Sequence, residues 1–120
     1  MKKESLIQIR TFSYSLTIIE LYKLLSSQKE FILSKQILRS ATSIGANVEE
    51  ATAAISKRDF IAKMSIASKE ARETRYWLRL LNHSQLVKYE YNELIKEAEE
   101  IIRILTAIVK TSQTNLQTHN

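Results

Sequence analysis

Three observations in the sequence predict an all-α fold, an antiparallel up-down-up-down four-helix bundle. There is no proline and a single glycine, Gly45, so the residues that punctuate strands, hairpins and long loops are missing. Four stretches repeat apolar residues at alternating spacings of three and four, as a helix with one buried face does. The connections between them are short, which favours antiparallel neighbours. At 120 residues the chain suits one domain, whose folding hides roughly two-thirds of the unfolded surface. Residues 1–111 are expected to form the bundle domain and residues 112–120 a disordered polar tail.

The first helix is expected from Glu4 to Ser26, where Tyr14, Ile18, Leu21 and Leu25 form a seam that Ile9, Phe12, Leu16 and Ile19 widen. Ser26, Ser27 and Gln28 end it. The second is expected from Glu30 to Ile55, with Ile37, Ala41, Ile44, Val48, Ala51 and Ile55 as its seam. Gly45 inside it costs up to about 1 kcal/mol relative to alanine, which points to close helix packing or a kink.

Ser56 and Asp59 form a variant capping box that starts the third helix, which ends near Asn82, His83 and Ser84. Phe60, Met64, Ala67, Ala71, Thr74, Leu78 and Leu81 are a near-complete a/d seam, and Trp77 sits at its edge with an indole N–H that needs a partner. The fourth helix, Tyr89 to Thr111, carries Leu94, Ala98, Ile101, Leu105 and Ile108 and places its glutamates at the positive N-terminal end.

The second and third helices each carry a further stripe. On the third, Ala62, Ile66, Tyr76 and Leu80 occupy c and f positions, interrupted by Lys69 and Glu73; such positions are normally charged. On the second, Ser43, Ala46 and Ala53 lie between Arg39 and Glu50, small enough to let another backbone approach. Burial from two sides implies self-association, with Arg39, Ser43, Ala46, Glu50, Ile66, Glu73, Tyr76 and Leu80 as the interface. The alternative is that Ile66, Tyr76 and Leu80 are scattered surface apolar residues of the kind common on monomers. Arg39 and Glu50 could also pair with Glu73 or Lys69 of the neighbouring helix.

The absence of cysteine removes disulfides, thiolate metal sites and cysteine nucleophiles. His83 and His119 are too few and too badly placed for acid/base or metal chemistry, and Glu-x-x-His spacing does not occur. One glycine cannot build a phosphate loop. No catalytic residue, metal or cofactor is therefore assigned, and the chain reads as non-enzymatic. Polar breaks at Glu4, Gln8 and Arg10 leave neither a signal peptide nor a membrane span, so a cytoplasmic protein of bacterial type, without a membrane partner, is expected.

The net charge is +5, and residues 57–88 hold eight Lys and Arg against three acids. Arg72, Arg75 and Arg79 stand at i, i+3 and i+7 on one helix face, with Lys57, Arg58 and Lys63 in the first turns. Arginine forks match phosphate oxygens, and clustered cations gain affinity by counterion release, so these six residues are the candidate nucleic-acid face. The bland reading is a solvated face that pairs with Glu70, Glu73 or acids of the fourth helix. The acidic fourth helix weighs against nucleic acid.

From about Phe31 to Leu81 the chain resembles the 23S rRNA-intervening sequence proteins. The resemblance rests on Leu38-Arg39-Ser40, Ser43-Ile44-Gly45-Ala46-Asn47-Val48, Glu50-Ala51, Ser56-Lys57-Arg58-Asp59-Phe60, Ala67, Lys69-Glu70-Ala71, Glu73-Thr74 and Tyr76-Trp77-Leu78. The family is one of small four-helix bundles with no established catalytic residues. A related branch, the accessory variability proteins of diversity-generating retroelements, forms basic homopentamers that bind nucleic acid and a reverse transcriptase. The resemblance thus implies a homopentamer with RNA or DNA, and a nucleic-acid enzyme, as partners. The alternative is a protein-interaction scaffold with no nucleic-acid role.

Overall fold

The structure, a computed structural model, describes residues 4–118. Those residues form four helices and no strand: α1 (Leu6–Ser27), α2 (Leu33–Thr52), α3 (Lys57–Ser84) and α4 (Asn92–Thr118). They pack in the cyclic order α1, α2, α3, α4, with α1 and α4 meeting along the thinnest edge, in a bundle 52 × 30 × 20 Å. This is the expected four-helix bundle, and the expected inner seams supply its core.

Each helix starts and stops for a local reason. Ser5 caps α1 with Gln8 in a reciprocal capping box (Gln8 N–H to Ser5 Oγ 3.3 Å, Ser5 N–H to Gln8 Oε1 2.8 Å). The exit of α1 is a Schellman turn: Glu30 N–H reaches Leu25 O at 2.9 Å and Lys29 N–H reaches Ser26 O at 2.9 Å. Lys29 adopts φ 63 there, a conformation that favours glycine.

Glu30 lies outside α2, although the sequence spacing puts the first residue of the helix there. Its buried carboxylate accepts the N–H groups of Ile32 (3.1 Å), Leu33 (3.2 Å) and Ser34 (2.6 Å), donors that have no partner within the helix at its start. At the other end α2 stops at Thr52, so Ile55 is not part of its seam: it sits in the α2–α3 turn, 94% exposed. Ser56 must be extended (φ −154, ψ 165) to accept Asp59 N–H at 3.0 Å, and this breaks the helix. Asp59 in turn accepts Ile55 N–H at 3.3 Å.

Leading into α4, Val87 and Tyr91 are buried, and the Tyr91 hydroxyl donates to Val87 O at 2.8 Å. The fourth helix begins at Asn92 instead of Tyr89 and continues to Thr118, past the expected end at Thr111, so residues 112–118 are helical. Residues 1–3, 119 and 120, His119 included, lie outside the described residues.

Gly45 faces α1. A methyl group at that position would lie 3.5 Å from Ser15 Oγ and from Thr11 O, ordinary contact distance, so α2 approaches α1 closely but leaves room. Between α2 and α3 the buried Ser40 and Thr74 hydroxyls share a hydrogen bond of 2.8 Å.

The largest departure from the sequence expectation is in α1. Ile7, Thr11, Tyr14, Ile18, Leu21 and Leu25 face the core. Ile9, Phe12, Leu16 and Ile19 do not widen that seam; together with Leu6 they lie exposed on the outer side. Thr11 is buried and Phe12 is 65% exposed, because the Thr11 hydroxyl satisfies itself on Ile7 O at 2.8 Å while its register keeps Tyr14 and Ile18 inward.

Candidate nucleic-acid and oligomer interfaces

The heptad geometry of α3 sends its two flanks to different neighbours. On the α2 flank, Arg39 donates to Glu70 Oε2 at 3.1 Å and also to Glu73. Glu73 Oε2 accepts the Trp77 indole N–H at 3.0 Å, which supplies the partner that half-buried ring needs. Lys63 Nζ meets Glu50 Oε1 at 3.1 Å. Arg39, Glu50 and Glu73, expected at the oligomer interface, are therefore paired within the chain, and the partner of Glu50 is Lys63, not Lys69.

Ser43 and Ala46 lie on the surface of α2, as do Ile66, Tyr76 and Leu80 on α3, where they are 41%, 53% and 38% exposed. Tyr76 stands edge-on to Trp77 with ring centroids 5.2 Å apart, so this patch leans toward the α2 side of α3.

The other flank of α3 faces α4. Arg75 Nε donates to Glu99 Oε2 at 3.0 Å and Arg72 reaches Thr106 Oγ1 at 3.4 Å, while Arg79 has no ion pair among the described residues. Lys57 and Arg58 project into solvent from the first turn, also without an ion pair among the described residues. Lys63, expected with these cations, lies on the α2 flank and is paired there with Glu50.

A further cation, on α4, lies beside Arg72. Lys110 lies with Arg72, Ser65, Ser68, Thr106, Val109 and Gln113 around a shallow groove of about 230 Å³ between α3 and α4, with no carboxylate in its lining. The sequence holds a signal for it: no Asp or Glu follows Glu100, and antiparallel packing lays that acid-free half of α4 beside the start of α3.

The acids of α4 are mostly spoken for. Arg10 of α1 clamps Glu97 through bonds of 2.7 and 3.0 Å, and Arg75 holds Glu99. Arg103 donates to Glu100 and holds its carboxyl below the usual carboxylate range. They oppose an anion at the groove far less than their number in the sequence suggests.

Among the described residues no group of three or more His, Cys, Asp or Glu could hold a metal ion. None of the described helices is long and apolar enough to cross a membrane.

Comparison with solved structures finds a crystal structure of a protein of unknown function, from the S23 ribosomal protein family of Bacteroides thetaiotaomicron. It is 46% identical, covers 88% of this chain and 99% of its own, and superposes with a TM-score of 0.83. No curated protein matches. The profile of the 23S rRNA-intervening sequence proteins matches residues 3–107, and with a four-helix bundle of the same shape in the solved relative, the chain belongs to the 23S rRNA-intervening sequence protein family.

Proposed function

We propose that this chain is a non-enzymatic, cytoplasmic homo-oligomer that binds nucleic acid, RNA in the first instance, along the α3–α4 face. The observation that carries the reading is the groove in which Arg72 and Lys110 stand among three hydroxyls, Ser65, Ser68 and Thr106, with no carboxylate. Phosphate oxygens suit that set, because guanidinium and ammonium supply charge and hydroxyls supply neutral donors. Arg79, Lys57 and Arg58 extend the positive surface beyond the groove. Such a face binds backbone without reading bases. Repetition in an oligomer turns a net charge of +5 per copy into a large field. Five copies, and a nucleic-acid enzyme as a neighbour, are what the resemblance to the accessory variability proteins implies.

The test is binding of a nonspecific RNA to the full chain as a function of salt. Arg72→Ala and Lys110→Ala should each weaken binding across all sequences and flatten the salt dependence, by a slope of about one for each phosphate left without its cation. Lys63→Ala should leave binding unchanged, since Glu50 already neutralises it. Undiminished affinity at low salt in an Arg72→Ala, Lys110→Ala, Arg79→Ala chain of native helix content would sink the assignment. It would favour an interaction scaffold with no nucleic-acid role, in keeping with Arg75 being tied to Glu99.

A further inference from the structure

Leu6, Ile9, Phe12, Leu16 and Ile19 form a second seam on α1, at spacings of three and four, 72%, 51%, 65%, 52% and 37% exposed. The ridge runs about 20 Å along the helix, at 1.5 Å per residue. Arg10 is the only charge on α1 between Glu4 and Glu20, and Glu97 holds it. Contiguous apolar ridges of this size on soluble proteins mark contact surfaces. A stable contact needs about 800 Å² per partner. One helix ridge falls short of that, so the occupant must also cover the groove beside it, where Phe12 meets Gly45 and Ala46 of α2.

We propose that the α1 ridge of one copy packs head-to-tail on the Ile66, Tyr76 and Leu80 patch of α3 in the next copy. The inference rests on the oligomeric reading above and assigns its interface. Charge selects this pairing over a two-fold contact of ridge on ridge. Arg10 and Glu20, the charges within and at the end of the ridge, are already paired with Glu97 and Lys23, so a contact of ridge on ridge brings no opposite charges together between copies. The α3 patch instead carries the exposed Lys69 between Ile66 and Tyr76, whereas the groove beside the ridge carries Glu4 and Glu49, which have no ion pair among the described residues. A heterologous contact of this kind closes into a ring or runs on as a filament. It leaves the α3–α4 groove open.

The absence of native cysteine allows a direct test. Light scattering first gives the mass of the wild-type chain and of Phe12→Glu. Then Phe12→Cys and Tyr76→Cys chains, one bearing a size tag, are treated separately and mixed with a flexible bis-maleimide, whose reach tolerates errors of register. The expected results are an oligomeric wild type, a monomeric Phe12→Glu chain of unchanged helix content, and a cross-link only in the mixture. Self-cross-linking of the Phe12→Cys chain would overturn the head-to-tail arrangement. A Phe12→Glu chain that keeps the wild-type mass would overturn the role of α1 while leaving self-association standing. A monomeric wild type would overturn both.

Discussion

The first and last helices solve the problem of facing water in opposite ways. α4 buries Leu94, Ala98, Ile101 and Leu105 and turns Glu93, Lys96, Arg103 and Lys110 outward, so one charged face and one apolar face leave a single way to dock it. α1 is apolar on both sides. Ile7, Tyr14, Ile18, Leu21 and Leu25 are buried against the bundle, while Leu6, Ile9, Phe12, Leu16 and Ile19 stand outside. A helix with two apolar faces docks by fit as well as by hydrophobicity, and here one of the two stays on the surface.

Truncating one side chain on each face of α1 separates the two behaviours. Ile18→Ala should cost about 2–5 kcal/mol in denaturant unfolding at any protein concentration, because it empties a fully buried site. The cost of Phe12→Ala should depend on concentration, falling within about 0.5 kcal/mol for dissociated chains. Equal, concentration-independent losses would mean that both faces belong to one core.

The exit of α1 and the entry of α4 differ in the same sense. Glu30 is buried and accepts three N–H groups, whereas Glu90 is exposed and accepts one, from Asn92 at 3.0 Å. Glu30→Ala should therefore destabilise the fold by about 2 kcal/mol in thermal or denaturant unfolding. Glu90→Ala should change it by a few tenths, as exposed sites do.

Where α1 and α4 meet, the Tyr14 hydroxyl donates to Leu94 O at 2.8 Å, and Tyr14→Phe should cost about 1 kcal/mol. Burial, reinforced by the nearby charge of Glu97, raises the Tyr14 phenol above its ordinary pKa of about 10. A raised folded-state value means full stability below about pH 10 and loss as the pH climbs above it. Tyr14→Phe should shallow that alkaline loss, leaving the part owed to Tyr91, which burial also raises. The smallest effect is a gain: Gly45→Ala should stabilise by up to about 1 kcal/mol, since the gap to α1 admits a methyl group. A lower stability there would show that the α1–α2 approach needs the glycine.

Much of this architecture is legible in the sequence. Seams such as Ile37, Ala41, Ile44 and Val48, or Met64, Ala67, Ala71 and Thr74, can be read from spacing because each recurs at helical period without a break. α1 is legible only in part: spacing finds the buried seam Tyr14, Ile18, Leu21 and Leu25, but it wrongly adds Ile9, Phe12, Leu16 and Ile19 beside it and misses Ile7 and Thr11. Ile55 keeps the spacing of the α2 seam but falls beyond a helix end that Ser56 dictates through its own cap. The candidate site is half legible. Spacing places Arg72 and Arg79 on one face of α3, but that Lys63 pairs with Glu50 and that Lys110 lies beside Arg72 emerges only once the helices are packed.

Period and capping are properties of a single helix and need no neighbour, so four helices, their order and the central residues of all four buried seams are legible in the sequence. The docked helices alone show that Ile9, Phe12, Leu16 and Ile19 of α1 face away from the core, that Glu50 pairs with Lys63, and that Arg72 and Lys110 share a groove free of carboxylates. Those are contacts between residues far apart in the chain, and their energies depend on distances that exist only once the helices have docked.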